Sequence, residues 1–474
     1  MIRRVAVVGG GISGLAAAFR LMREDAEAEV ILFEASDRLG GIIQSDRSQG
    51  VILEGGPDSF LRRKPQAIQL AEELGLGGEL MSTNPHVRGS YIFHAGHFAD
   101  IPPGVQAGIP TRLEGLWGTE LLSMGEKLRL LGDFSLPRQS IEEDMALGTL
   151  LRYRLGDGYV DRIAAPILSG IYAGDIDRLS TAVTAPQLLA FQRRGRSLIQ
   201  EAQKQAAQMT VSPYGTAPNS VFASLQRGVG SLTEALYEAM RGRVDIRLES
   251  PVTMIEGMPG GYRITALNQS RAWDVSHVVV AVPAYQAARM LDGWDGGVRE
   301  LLAGIAYADL AVVGAVYEPS AFDRTLNKTG FLVPKGEGLG MTAGTWVRAK
   351  WDYRDTTDLV PIRAFYGRAG DGGLLAESDE QVLARFRQEL GYIMGVTDAP
   401  RYARVFRVPA GMPQYHVGHR ATADRIRREA ERTGIAVIGS YFDGVGVPDC
   451  IRHANEAARR IVAGDTSGVV GSRS

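Results

Sequence analysis

A chain of 474 residues with 45% hydrophobic side chains is long enough for two or three domains around large cores. Its 52 basic and 54 acidic residues leave a net charge of −2, which excludes a nucleic-acid footprint, and no uninterrupted apolar run approaches the length of a membrane span. One cysteine, Cys450, excludes an internal disulfide and points to a reducing compartment.

The first element in chain order is Arg4-Val-Ala-Val-Val8, an apolar run that reads as a strand and, broken by glycine so soon, not as a signal peptide. Gly9, Gly10, Gly11, Ile12, Ser13 and Gly14 follow, then the alanine-rich helical pattern Leu15–Leu21. Gly9-x-Gly11-x-x-Gly14 between strand and helix is the dinucleotide fingerprint. Its first glycine permits a tight turn, its second lets backbone approach a pyrophosphate, and its third lets helix and strand pack closely. The pyrophosphate is expected over unpaired N–H groups at the positive end of the helix dipole. A second strand, Glu29–Phe33, ends on Glu34, placed to accept hydrogen bonds from a ribose hydroxyl. Among 58 glycines the bare pattern arises roughly once by chance, so its context is what separates it from an ordinary buried βαβ unit. Arg38-Leu-Gly-Gly41 and Glu54-Gly-Gly-Pro-Asp58 come next. A guanidinium and glycines here extend the pyrophosphate site, as a bound FAD needs and a dissociable NAD does not.

Residues 60–83 read as one helix with a stripe of Ile68, Leu70, Ala71, Leu74 and Leu76. Arg62-Arg63-Lys64 at its start is either a solvated basic turn or an attraction for an anionic ligand. Val87–Asp100 reads as a β-hairpin turning at Ala95-Gly96, and Pro102, Pro103, Gly104 and Pro110 then break the chain. From about 113 to 208 the pattern is helical, with Ser169–Asp175 a glycine-punctuated turn inside it. Phe191–Arg196 is basic and semi-apolar, either a solvated helix face or a patch facing a membrane or an anion. Residues 209–220 read as a linker. A second α/β portion begins at Val221, with a helix ending at Met240 and short strands at Val244–Leu248, Val252–Ile255, Tyr262–Ile264 and His277–Val282. From 305 to about 420 the pattern is mostly β, interrupted by a helix over 379–394. Ile435–Ile438 is a strand that runs through the glycine-rich 439–446 into a helix ending near 463. Cys450 reads as a small buried packer, since no second cysteine could resolve a redox thiol. The pairs His94/His97 and His416/His419 lack a third ligand, so no metal is expected, and no Ser/His/Asp constellation is present.

These elements imply an α/β fold. A discontinuous Rossmann-like FAD-binding domain comprises residues 1–86, 221–304 and 434–466. Inserted into it are a substrate-domain hairpin and linker (87–112), a helical domain (113–208) and a β-rich, α+β substrate domain (305–433).

The fingerprint running through Arg38-x-Gly-Gly41 resembles the flavin-dependent amine oxidase and phytoene desaturase superfamily. Within it, Glu54–Ser59, Leu168–Asp175, Met412–His419 and Phe442–Ile451 look like the oxygen-dependent porphyrinogen oxidases of haem biosynthesis, over residues 1 to about 463. Thr342–Trp346 and Lys350-Trp351 look most like the Gram-positive branch, associated with coproporphyrinogen III, whereas the mitochondrial branch uses protoporphyrinogen IX. That branch often carries a cysteine where Gly344 stands, and the mitochondrial branch an arginine where Asp58 stands.

The resemblance implies FAD held by Gly9 to Gly14, Glu34, Ala35, Arg38, Gly41, Gly56, Pro57, Asp58, Ser59, Val252, Val445, Gly446 and Val447. For substrate it implies Arg88 on a carboxylate and Gly170 and Ile171 along the macrocycle. Arg63 and Lys64 are further substrate-facing cations expected from their place beside the flavin segment. It implies a six-electron oxidation in three rounds, by hydride transfer to the flavin through positioning with no catalytic side chain, oxygen as acceptor and hydrogen peroxide released. The partners implied are the porphyrinogen and molecular oxygen. A homodimer is admitted, as is peripheral membrane contact through the helical block at the inner face of the cell membrane, and the expected location is cytoplasmic. A flavin amine oxidase would show an aromatic cage where this chain offers only Tyr441 and Phe442, and a flavin-free lipid-escort protein of this fold would not need Glu34 and Arg38.

Overall fold

The computed structural model describes residues 3–137, 144–195, 197–208, 220–291, 293–323, 326–353 and 356–464. The expected linker at 209–220, apart from Ser220, and Arg196 of the basic patch lie outside them.

A five-stranded parallel sheet organises the nucleotide half, in the order Asp245–Arg247, Glu29–Phe33, Arg4–Val8, His277–Val280, Ala436–Val437. Alternation along Arg4–Val8 sends Val5 and Val7 to one face and Ala6 and Val8 to the other, and both faces are covered, hence the continuous apolar run. On the first face lie the fingerprint helix Ile12–Glu24, the helix Gly230–Met240 and the C-terminal helix Val447–Val462. On the second lies an antiparallel sheet of Val252–Met258, Gly261–Ala266 and Trp273–Val275. Helices Ala284–Met290 and Gly296–Ala303, neither anticipated from the sequence, share that core. So does His419–Thr433, through Ala423, Ile426 and Ala430; it packs on the nucleotide sheet although the chain places it after the substrate strands.

The second half is built on a seven-stranded sheet in the order Tyr402–Pro413, Tyr307–Tyr317, Val360–Tyr366, Met341–Trp346, Gly330–Leu332, Tyr91–His94, His97–Asp100. The expected hairpin is its edge, turning through Ala95 and Gly96, both at positive φ. The helix Asp379–Met394, opened by a Ser378/Gln381 capping box, packs Val382, Phe386 and Leu390 against this sheet. The helical block runs from Glu114–Trp117 to Leu198–Gln208 around Leu147, Leu150, Leu151, Leu155 and Ile163. Among the described residues no helix is long and apolar enough to cross a membrane.

Two expectations are corrected. Residues 60–83 are not one helix: Phe60–Leu61 and Leu80–Ser82 are strands flanking Gln66–Glu73. Pro65 disfavours helix at the residue before it, and Gly75, Gly77 and Gly78 end the helix early. Gly170 and Ile171 lie not in a turn but in the helix Ala165–Tyr172, whose stop is Ala173 in the left-handed region.

Candidate active site

The two halves enclose one continuous cavity of about 2340 Å³. Pockets for one small ligand span roughly 300–1,000 Å³, so this volume admits a dinucleotide and a second molecule together. Its walls bring together Gly9, Gly11, Ile12, Ser13, Glu34, Ala35, Gly41, Gly56 to Ser59 and Val252, and from the far end of the sequence Val445, Gly446 and Val447. Arg63, Lys64, Gly170 and Ile171 line it as well. Gly10, Gly14, Arg38 and Arg88 do not. Gly10 and Gly14 act from behind the surface. Arg38 folds back to donate to the Leu39 and Gly41 carbonyls, and exposed Arg88 lies next to Gly89, which does reach the wall.

The fingerprint helix opens on this cavity at Gly11 with no side-chain cap and no acidic residue in its first turn. Its free N–H groups and dipole therefore face the space a pyrophosphate would fill. A Cβ built on Gly11 meets nothing nearer than the Gly41 Cα at 4.0 Å, so the room in front of it is real. Glu34 accepts the Gly10 N–H at 2.6 Å through one oxygen and the Ser36 N–H and hydroxyl at 2.8 and 2.7 Å through the other. It thus fixes the glycine turn as well as standing where a ribose would come. At the opposite end of the chain the buried Tyr441 hydroxyl, on the same cavity wall, finds no protein partner among the described residues. These features fit FAD.

The segment carrying Gly56–Ser59 is held from below by residues that sequence reasoning missed. Arg363, buried on the strand Val360–Tyr366, donates to the Glu54 carbonyl at 2.7 Å and the Gly56 carbonyl at 2.6 Å. It also pairs with Asp58 at 3.1 Å. Lys350 reaches both Asp58 oxygens, at 2.9 and 2.8 Å, and the Trp351 indole donates to one at 3.2 Å. Despite burial, these cations hold the Asp58 carboxyl well below the usual carboxylate range. Lys350-Trp351 is legible only as a branch-marking motif, and nothing local signals that these partners, about 300 residues away in the chain, reach this segment.

Two of the expected basic residues have other work. Arg62 is buried and donates to the Phe222 carbonyl and the Ser82 hydroxyl. Lys64, on the cavity wall as expected, pairs with both oxygens of Asp449 at 2.6 Å and so pins the first turn of the C-terminal helix, which leaves it ion-paired rather than a free charge. Arg63 remains exposed on the wall. Gly439 to Gly446 is braced by Tyr415, whose hydroxyl donates to the Ser440 carbonyl and accepts the Gly444 N–H, and by His419, bonded to the Tyr441 carbonyl at 2.8 Å. Burial pushes the Cys450 thiol up to about 11, as suits a packer. Among the described residues no group of three or more potential metal ligands occurs.

Glu54 is the buried acid of this floor, accepting from the Ser45 hydroxyl and the Val229 N–H, both at 2.6 Å. Burial pushes its carboxyl from an ordinary 4.5 up to about 7, although those donors pull it down. A raised acid contributes stability that is full below its unfolded pKa and lost as pH rises through the folded one. Between pH 4.5 and 7.5 the protein is therefore expected to lose on the order of 2–3 kcal/mol relative to Glu54→Gln. Urea unfolding of both proteins across that range checks this; parallel profiles would refute it.

A family model described as flavin containing amine oxidoreductase matches residues 12–462. The coproporphyrinogen III oxidase of Bacillus subtilis (strain 168) is 33% identical over 461 residues, covering 96% of this chain and 97% of its own. That of Staphylococcus aureus (strain NCTC 8325 / PS 47) is 32% identical, with 98% and 100% covered. The chloroplastic protoporphyrinogen oxidase 1 of Arabidopsis thaliana is 25% identical, with 95% and 86% covered. Among solved structures, a protein of Exiguobacterium sp. 255-15, provisionally described as a protoporphyrinogen oxidase, superposes with a TM-score of 0.86 at 34% identity, with 98% and 99% covered.

Proposed function

This chain belongs to the flavin containing amine oxidoreductases, and we propose that within that family it oxidises coproporphyrinogen III to coproporphyrin III in haem biosynthesis. The single observation that carries this reading is a dinucleotide cradle within one cavity large enough for a second molecule, in a chain alike end to end to coproporphyrinogen III oxidases. The protein is an enzyme and its cofactor is FAD. When bound, the flavin supplies a two-electron acceptor, regenerated by oxygen with release of hydrogen peroxide, so that three rounds remove six electrons.

The protein's own part is positioning. Gly9 to Gly14 would hold the FAD pyrophosphate, Glu34 its ribose, Val252 its adenine side and Val445 to Val447 its ring, with Ala35 and Gly56 to Ser59 as further FAD contacts. Arg38 and Gly41 steady the loop beneath the pyrophosphate. The porphyrinogen then lies along Gly170 and Ile171, with its propionates toward Arg63 and Arg88. The bridge carbons of a porphyrinogen are activated by electron-rich pyrroles on both sides. Holding one close to the acceptor supplies most of the catalysis, and no side chain is assigned as base or nucleophile. Lys350 and Arg363 serve this indirectly, by keeping Asp58 and the Gly56 carbonyl in place.

Anaerobic flavin reduction by coproporphyrinogen, protoporphyrinogen and simple amines, followed in parallel at the flavin absorbance band, tests this. Coproporphyrinogen is expected to reduce it with the highest kcat/KM, because four propionates use cations that the two of protoporphyrinogen leave idle. Equal kcat/KM for the two porphyrinogens would remove the substrate preference alone. Reduction by amines only would remove the whole reading. We further propose a cytoplasmic protein, at most peripherally attached to the membrane through its helical block, that acts as a monomer or homodimer.

A further inference from the structure

Of the cations on the cavity wall, Arg63, Arg289 and Lys335 are exposed, and four of the more shielded ones are already neutralised. Lys64 pairs with Asp449, Lys350 and Arg363 with Asp58, and Arg152 with Asp157, Asp161 and Asp177. Arg368 differs. It follows the strand Val360–Tyr366, lines the cavity and is half-buried, and its one hydrogen bond among the described residues goes to the Val333 carbonyl at 2.7 Å. It has no ion pair among the described residues. Asp371 and Glu389 lie within electrostatic range, but Glu389 is taken by the Gly340 and Met341 N–H groups and the Tyr366 hydroxyl.

The position of this guanidinium is fixed from two sides. Val333 adjoins Leu332, whose side chain lies 3.6 Å from where a Gly170 Cβ would be. The Ala369 N–H donates to the Ala173 carbonyl at 2.8 Å, tying the loop to the end of the helix that carries Gly170 and Ile171. Arg368 therefore sits at the substrate wall, with donors left over after Val333. A guanidinium cannot shed its charge, and a partly shielded one lacking a carboxylate partner gains from an anionic ligand that binds through two parallel N–H bonds.

We propose that Arg368 binds a carboxylate of the substrate at the Gly170 wall, a specificity contact additional to Arg63 and Arg88. The inference rests on the porphyrinogen reading and assigns one of the propionates to a named side chain.

The test uses the flavin-loaded protein, titrated with coproporphyrin III and with its uncharged tetramethyl ester. Arg368→Gln is expected to weaken coproporphyrin binding about tenfold or more, leave the ester unaffected, raise KM for coproporphyrinogen and leave flavin content and kcat unchanged. Arg368→Lys, which keeps the charge without the fork, is expected to fall between. Should Arg368→Gln not fold, Arg368→Lys decides alone: retained flavin with binding weakened several-fold supports the assignment, and unchanged binding overturns it. If Arg368 only holds Val333, Arg368→Gln weakens acid and ester alike or sheds flavin, and the proposal fails while the porphyrinogen reading stands. If coproporphyrinogen does not reduce the flavin of the unmodified protein, that reading fails and this inference with it.

Discussion

Gly14→Val is expected to yield protein that retains no flavin and is destabilised by more than about 3 kcal/mol, the upper end of what overpacking a core costs. A Cβ on Gly14 falls far inside contact with the Gly9 carbonyl oxygen, 3.0 Å from the Gly9 carbonyl carbon and 3.4 Å from the Val7 Cγ1. All the obstructing carbonyl atoms are backbone, so no side chain can swing away. Gly9 cannot retreat either: it sits at φ +107, and a Cβ of its own would lie 2.6 Å from the oxygen of Ala281, just past the end of the neighbouring strand. The fingerprint helix must therefore lift from its strand, opening the core between Val7, Leu15 and Ala18. Gly11→Ala is the informative contrast. Its Cβ meets open space, so fold stability should hold while the new methyl crowds the pyrophosphate and flavin retention drops. Flavin-to-protein absorbance after gel filtration, with urea unfolding, reads both effects. Stoichiometric flavin in a normally stable Gly14→Val protein would rule the close-packing argument out.

Why the two glycines were legible and their surroundings were not is a matter of range. The fingerprint, the hairpin at Ala95-Gly96 and the entry to the C-terminal helix are local patterns, in which neighbouring residues decide the backbone. The break at Pro65 was local too, but the stripe from Ile68 to Leu76 masked it, because two short strands and a two-turn helix can all bury residues on one side. Gly170 was misplaced for the opposite reason: glycine in a sequence signals a turn, yet here the helix runs on to Tyr172 and the left-handed stop falls to Ala173. Lys350, Tyr415 and His419 lie in segments that carry the family resemblance and Arg363 does not, but nothing local to any of them signals the contact it makes. Each acts on a segment from another part of the chain, and their roles exist only once the two sheets face each other. Lys64 shows the limit most sharply. A basic run predicts a field, but whether that field reaches a ligand depends on whether a carboxylate such as Asp449 has claimed it first.

Asp58→Asn is expected to cost about 3–5 kcal/mol, since it removes the one carboxylate that neutralises two shielded cations and leaves an amide facing the Lys350 ammonium. The loss should spread to the cofactor, because Arg363 also holds the Glu54 and Gly56 carbonyls and will shift once Asp58 no longer anchors it. Removing the stranded charge as well, in Asp58→Asn/Lys350→Met, should recover part of the stability, since the double change strands one fewer charge. The pH dependence has a definite sign. Because the folded pKa of Asp58 lies below its unfolded value, the contribution is complete above about pH 4 and fades as pH falls below that. Wild-type protein should thus lose stability on acidification through a component that Asp58→Asn lacks, whereas the Glu54 component acts in the opposite direction at higher pH. Urea unfolding at pH 7, pH 4 and pH 2 for wild type, the single variant and the double variant separates these contributions, the step from pH 7 to 4 reading Glu54 and the step from pH 4 to 2 reading Asp58. A single variant within 1 kcal/mol of wild type at pH 7, still loaded with flavin, would mean that Lys350 and Arg363 tolerate solitude and that the floor of the site is held by the backbone bonds alone.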